Sequence, residues 1–174
     1  MELKLSNDRK RLLTAADKWD FNNPPMDSIE LSEGMIKVLY EENGLGIAYN
    51  QLDIPGNYAV FAMRGEPENF VFFNPRIVWE SKETYTLKES CLSFKGLVLP
   101  IERPRDVRIR FQSPSGETFT KLFKNLSART VQQMMGYING QIFWNSISKL
   151  KFDIGVRKAY KQGIDFTQLT YKGL

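Results

Sequence analysis

Cys91 is the residue with the most distinctive chemistry in this sequence. It is the single thiol among 174 residues, and the chain contains no histidine. A nucleophilic thiol or hydroxyl is commonly activated by an imidazole, and histidine is also the commonest neutral metal ligand. Cys–His pairs, Ser–His pairs and histidine metal centres are therefore excluded. The carboxylate nearest to Cys91 in the sequence is Glu89, which is the one local candidate for a base.

The composition predicts a folded, unsecreted protein. Hydrophobic residues make up 42% and charged residues 25% of the chain, as in ordinary globular domains. A lone cysteine cannot form an intramolecular disulfide, which favours a reducing compartment. The first residues lack the apolar core of a signal peptide, and no apolar run is long enough to span a membrane. We expect a cytoplasmic protein without membrane contact, and the net charge of +4 is too small to indicate nucleic-acid binding.

Hydrophobic periodicity predicts a helix followed by a region rich in strands. Asp27 or Ser28 can cap the first helix, which ends near Asn43-Gly44. Apolar or alternating runs then predict strands, and a turn at 114–116 makes the last two a hairpin. The predicted strands are Gly46–Asn50, Tyr58–Met63, Phe70–Phe73, Ile77–Glu80, Tyr85–Leu87, Leu97–Ile101, Val107–Gln112 and Thr118–Phe123.

A second helix is predicted near the end of this region. Ser127 is a candidate N-cap, the apolar positions of Ala128–Ile138 have helical spacing, and Asn139-Gly140 is a stop signal. The helix therefore occupies about 127–139. Beyond it, about 148–174 form a basic extension rich in large apolar residues, which must pack on the domain or on another chain. We predict one domain, 1–174, that includes this extension.

Three segments resemble, in order, the signature motifs of the peptide deformylase family. They are GLGIAYNQ at 44–51, ESCLS at 89–93 and ARTVQQMMGYING at 128–140. The family motifs are G-apolar-G-apolar-A-A-x-Q, E-G-C-L-S and Q-H-E-x-D-H-x-x-G. The resemblance extends from about residue 10 to residue 147. It implies an α+β fold with antiparallel sheets around a central helix that carries the third motif.

The resemblance also implies roles for particular positions. In the family, the motif cysteine and two histidines hold a divalent metal, whose bound water attacks a formyl carbonyl on the initiator methionine of a nascent chain. A glutamate transfers the proton, and the first-motif glutamine and a backbone N–H stabilise the oxyanion. On this basis Cys91 keeps the ligand position, Gln51 the oxyanion position and Leu92 the backbone donor.

The third motif departs from the family pattern. Gln133 and Tyr137 occupy the two histidine positions, Met134 the glutamate position and Gly136 the position of the supporting aspartate. Neutral Gln is a poor ligand, a Tyr phenol must lose a proton of pKa about 10, and Met transfers no proton. We therefore predict no metal, no cofactor and no catalytic residue, with Gln51, Cys91, Leu92, Gln133, Met134 and Tyr137 as former site positions.

Each of these residues also has a structural interpretation. Cys91 can be a reactive thiol or a small buried hydrophobic residue, and Gln51 can bind a substrate carbonyl or satisfy backbone groups. Met134 can line a peptide slot or fill the core. Tyr137 can fill the former metal space with its hydroxyl bonded to Gln133 or Gln51, and this arrangement predicts that no open cavity remains.

These considerations predict a catalytically inactive deformylase-like protein. Its role would be that of a structural or protein-binding component of a larger assembly, such as a phage tail or baseplate, with protein partners and no small-molecule substrate. The first alternative is a module that binds N-terminal Met peptides in the former cleft. The second is a residual hydrolase.

Overall fold

The computed structural model of the chain describes residues 2–171. In that part of the chain, three helices accompany a five-stranded and a two-stranded antiparallel sheet. The predicted α+β architecture is confirmed. The helices are α1 (Ser28–Glu41), α2 (Asn125–Ile138) and α3 (Lys149–Lys161), and the strands are β1 (Gly46–Ala48), β2 (Val60–Met63), β3 (Phe70–Glu80), β4 (Thr84–Glu89), β5 (Leu99–Pro104), β6 (Asp106–Gln112) and β7 (Thr118–Lys124).

The larger sheet has the strand order β1-β2-β3-β6-β7, and β4 and β5 form a separate hairpin. The two strands predicted at 70–73 and 77–80 are one strand, β3, whose pairing with β6 changes register between Phe73 and Arg76. Asn74 lies at this irregularity with a φ of +49°. Its amide nitrogen donates to the Trp19 carbonyl and to Gln112, and these hydrogen bonds hold the bulge in place. In the sequence, the residues of this bulge resemble the end of a strand.

The larger sheet is covered on both faces. Alternate residues of β2 point to opposite sides, so Val60 packs in the cluster that contains α1, whereas Phe61 packs in the cluster that contains α2. α1 begins after Asp27, whose carboxylate accepts from the backbone amides of Ile29 and Glu30, as the capping pattern predicted. The helix α2 is the central one, with nine buried residues.

Two features of the helices differ from the predictions. α2 begins at Asn125, so Ser127 lies inside the helix and is not its N-cap. α3 was not predicted as a helix, although Ser148 caps it by accepting from the Lys151 amide. Apolar residues of this region do pack on the rest of the chain, among them Phe152, Ala159, Phe166 and Leu169. The end of the predicted extension, residues 172–174, lies outside the described residues.

The turn after α2 gives a test of the fold. Gly140 has a φ of +70°, and an added Cβ would lie 2.9 Å from the Ala15 amide nitrogen and from the Leu13 carbonyl oxygen. Gly163 has a φ of +80° with nothing within 4 Å of its added Cβ. We expect Gly163→Ala to cost about 1 kcal/mol of unfolding free energy through its φ alone, and Gly140→Ala to cost at least about 2 kcal/mol. Urea denaturation measures both, and equal losses would contradict this packing.

Candidate active site

A groove of about 500 Å³ lies beside Cys91. Three parts of the chain form its walls: residues 42–46 after α1, residues 87–92 at the end of β4, and one face of α2 that includes Arg129, Thr130 and Gln133. The second and third motifs therefore meet at one opening, with the start of the first motif beside them. The prediction that Tyr137 leaves no open cavity is wrong, because the groove lies beside that buried ring rather than in its place.

Cys91 follows β4 and precedes the 3-10 turn Leu92–Phe94. The side chain is partly buried. Burial raises the pKa of its thiol to about 11, although Tyr137 and the backbone amides of Phe94 and Ser93 act in the opposite direction. At neutral pH the sulfur is therefore a protonated thiol, which is a weak nucleophile.

Tyr137 is completely buried on α2. Its hydroxyl interacts electrostatically with Cys91. No group among the described residues lies at a distance and angle that make a hydrogen bond with it. The predicted hydrogen bond to Gln133 or Gln51 is wrong, because the Tyr137 hydroxyl forms a hydrogen bond with neither amide. The two amide nitrogens donate instead to Glu89, Ser90 and Ser93. Burial, followed by the Cys91 interaction, raises the pKa of the phenol well above its ordinary value, so it stays protonated.

Gln133 stands on the groove wall with its amide orientation fixed. Its Nε2 atom donates to Glu89 Oε2 and to the Ser90 carbonyl oxygen, both at 3.1 Å. Because both partners are acceptors, nitrogen must face them and Oε1 must point elsewhere. Both hydrogen bonds that the Gln133 side chain makes within residues 2–171 use Nε2, which leaves Oε1 as a free acceptor on a residue that lines the groove.

Glu89 is the centre of a buried charge cluster. Its carboxylate binds Arg103 in bidentate geometry at 2.7 and 2.8 Å, and it accepts from Arg129 Nη1 at 2.6 Å. With Gln133 as a fourth donor, every lone-pair direction of the carboxylate is used. Glu89 is therefore not free to act as the base considered from the sequence. The two arginines were not identified there, since they lie 14 and 40 residues from Glu89 in the sequence.

Gln51 and Leu92 lie on either side of the Cys91 segment. Gln51 is 1% exposed, and its Oε1 accepts from the Ala48 amide while its Nε2 donates to Ser93 Oγ, both at 2.9 Å. One hydrogen of Nε2 is left over. Leu92 lines the groove, and its side chain covers Gly44, where an added Cβ would lie 2.8 Å from Leu92 Cδ1. Gln51 and Gly44 of the first motif thus contact Ser93 and Leu92 of the second.

Met134 is directed away from the groove and into the core. It is 1% exposed, and its sulfur would lie 3.2 Å from a Cβ added at Gly46. The glycine allows α2 to approach β1 closely. A larger side chain at this position would require the Thr130 and Met134 side chains to move.

The donor atoms at the motif positions do not fit the divalent metal that the resemblance implies. The Gln133 nitrogen already donates two hydrogen bonds, the Tyr137 phenol holds its proton, and the pKa of Cys91 is raised. Within residues 2–171 there is no group of three His, Cys, Asp or Glu side chains that could hold an ion. No chemical step is therefore assigned to a metal in this chain.

The charge cluster predicts that two glutamates at opposite ends of β4, Glu89 within the strand and Glu83 just before it, differ strongly in their effect on stability. We expect Glu89→Gln to lower the free energy of unfolding by about 3–5 kcal/mol, because the buried Arg129 and the partly buried Arg103 lose their counter-charge. The matched control is Glu83→Gln, which removes an exposed partner of Arg105 and leaves stability nearly unchanged. Chemical denaturation measures both, and similar losses would show that the cluster carries little energy.

The thiol gives a second prediction. A pKa of about 11 makes the Cys91 alkylation rate with iodoacetamide rise continuously up to about pH 11, and at pH 7 the rate should be one to two orders of magnitude below that of a free thiol. The variant Tyr137→Phe removes a group that lowers this pKa, so its profile shifts to higher pH. A plateau below pH 9 would contradict the burial argument.

Comparison with known proteins identifies the family. The profile of the polypeptide deformylase family matches residues 4–153. A peptide deformylase from Bartonella tribocorum is 32% identical over 138 residues, which cover 76% of this chain and 78% of that protein. The resemblance seen in the motifs is thereby confirmed over most of the chain.

Solved structures have the same fold. A peptide deformylase from Synechococcus elongatus in complex with actinonin superposes with a TM-score of 0.81 at 23% identity, covering 97% of this chain and 90% of that one. A class I type b peptide deformylase from Acinetobacter baumannii, with Met-Ala-Ser bound, has a TM-score of 0.75 at 26% identity and covers 84% of this chain and 99% of that one.

These relatives correct the functional predictions. The prediction of a catalytically inactive protein is contradicted, because relatives similar over three quarters of the chain are named peptide deformylase. The role as a structural component of an assembly or phage particle has no support among them and is wrong on the same finding. The predicted absence of a membrane helix agrees with the structure, since no helix within residues 2–171 is long and apolar enough to cross a bilayer.

The profile match, the identity to named relatives and the common fold lead to one conclusion. Together they extend over α1, α2 and all seven strands. This chain belongs to the polypeptide deformylase family.

Proposed function

We propose that this chain removes the formyl group from formylated peptide amino termini in the cytoplasm. The observation that carries the proposal is the family match over residues 4–153, which includes every wall of the groove beside Cys91. The relative from Acinetobacter baumannii with bound Met-Ala-Ser supports a peptide as the substrate. In the reaction, the bond between the formyl carbon and nitrogen breaks. Water supplies OH to carbon, giving formate, and hydrogen to nitrogen, giving the amine.

Gln133 is the residue we assign to substrate recognition. Its free Oε1 accepts a hydrogen bond from the substrate N–H, and the Glu89 carboxylate and Ser90 carbonyl hold the amide in that orientation. An acceptor held this way needs no reorganisation when the peptide binds.

Leu92 and Gln51 are assigned to the carbonyl side of the formyl group. Leu92 is the first residue of a 3-10 turn, so its backbone N–H lacks an acceptor within the turn and can donate to the formyl oxygen. Gln51 positions this turn by holding Ser93. No residue among these needs a metal for its role.

Hydrolysis of formyl-Met-Ala-Ser tests the proposal directly. We expect formate and free amine in equal amounts, at a rate that 1,10-phenanthroline does not change, because the donor atoms do not fit a metal. Absence of formate would refute the proposed function. Inhibition by the chelator, together with stoichiometric metal in the purified protein, would refute the metal-independent assignment.

A substitution of Gln133 tests its assigned role in substrate recognition. Gln133→Met keeps the side-chain length but removes the Oε1 acceptor together with the Nε2 hydrogen bonds to Glu89 and Ser90 that orient it, so kcat/KM should fall about tenfold or more. Gln141→Met makes the same chemical change at an exposed site outside the groove and should leave kcat/KM unchanged. Equal values for both variants would exclude Gln133 from recognition.

A further inference from the structure

A second groove, of about 390 Å³, lies between α3 and the β4–β5 hairpin. We call it the α3 groove and the first one the Cys91 groove. Lys88 and Gly96 line both of them, so the two are adjacent along one surface. A chain that leaves the Cys91 groove past these two residues enters the α3 groove directly.

The close approach of α3 to β5 creates the α3 groove. An added Cβ at Gly155 would lie 2.2 Å from Leu99 Cδ2, so a larger residue there would require the Leu99 side chain to move. Lys151 and Lys158 precede and follow Gly155 by four and three residues, which places them on the same face of the helix. Both side chains therefore border the groove on either side of the contact point.

The floor of the α3 groove is apolar and partly open to solvent. Val98 is 45% exposed and Ile154 is 43% exposed, and Pro100 of β5 also lines the groove. Pro100 pairs across the hairpin with Lys88, so the apolar floor reaches the junction of the two grooves. Such a surface suits alternating side chains of an extended peptide more than a continuous phosphate backbone.

The charged residues that line the α3 groove are all lysines. Lys88, Lys151 and Lys158 take part in no ion pair among the described residues, whereas Lys149 on the outer side of α3 pairs with Asp153. No aspartate or glutamate lines this groove. Three unpaired positive charges around an apolar floor are complementary to a peptide with acidic and apolar residues.

From this continuity and charge we infer that the α3 groove binds the downstream segment of the same peptide whose amino terminus occupies the Cys91 groove, and that it favours acidic residues there. The inference rests on the proposed function for the identity of the amino terminus. It adds a second recognition site, which selects substrates by the sequence that follows the first residues.

Two peptides of about twelve residues test this. Both begin with formyl-Met-Ala-Ser and continue with Ala and Val alternating either with Asp and Glu or with Lys. We expect the acidic peptide to bind about tenfold more tightly at low salt, since three exposed charges each contribute a small factor, and the difference should shrink at 0.5 M salt. Fluorescence anisotropy measures binding without requiring hydrolysis. Equal affinities would overturn the inference.

Matched double variants of α3 separate a local site from net charge. Lys151→Gln with Lys158→Gln should reduce the preference to about threefold or less. Lys149→Gln with Lys161→Gln removes the same charge from positions outside the groove and should retain most of the tenfold preference. If both pairs have the same effect, the preference comes from overall charge and the inference is wrong.

The outcomes distinguish this inference from the proposed function. Charge-selective binding without any formate release would retain the α3 groove and refute the hydrolysis. Hydrolysis of formyl-Met-Ala-Ser with equal binding of both long peptides would retain the proposed hydrolysis and refute the role of the α3 groove. If a short single-stranded RNA binds more tightly than the acidic peptide and depends on Lys151 and Lys158, the groove is a nucleic-acid site and the inference is overturned.

Discussion

The buried carboxylate of Glu89 is the interaction on which the rest of the site depends. The β4–β5 hairpin belongs to no larger sheet, so other contacts must attach it to the chain. Glu89 binds Arg103 within the hairpin and Arg129 on α2, and Arg129 also donates to the carbonyls of Tyr85 and Ile101. Burial makes this network costly to break, because each arginine would be left without its partner. The same carboxylate orients Gln133, so one residue fixes both the groove wall and its free acceptor.

The sequence predicted those parts of the fold whose determinants are local. α1 was found from Asp27 and its apolar spacing, and the β6–β7 hairpin from its alternation and turn. The break assigned within β3 arose because Asn74 and Pro75 resemble a strand end, whereas hydrogen bonds to Trp19 and Gln112 continue the strand. α3 was missed because basic residues interrupt its apolar pattern, and its position depends on the distant contact of Gly155 with Leu99.

The location of the site was predictable from the sequence, but its hydrogen bonds and ion pairs were not. Motif order placed Cys91, Gln51 and Gln133 together, and the fold brings their segments around one groove. The ion pairs of Glu89 carry no local signal, since their partners lie on another strand and on α2. The prediction of inactivity rests on a few exchanged residues of the third motif, whereas the similarity to named deformylases extends over most of the chain.

The contact between Gly96 and Ile164 joins the loop after Cys91 to the segment after α3. Gly96 has a φ of +91°, and an added Cβ would lie 2.2 Å from Ile164 Cδ1 in the segment after α3. Phe94, two residues earlier in the same loop, packs near Phe166. The loop that follows Cys91 is therefore packed against the segment that follows α3. The groove therefore reaches its final shape only when the segment around Ile164 has packed on this loop, so a change in that segment can alter the site from outside its lining.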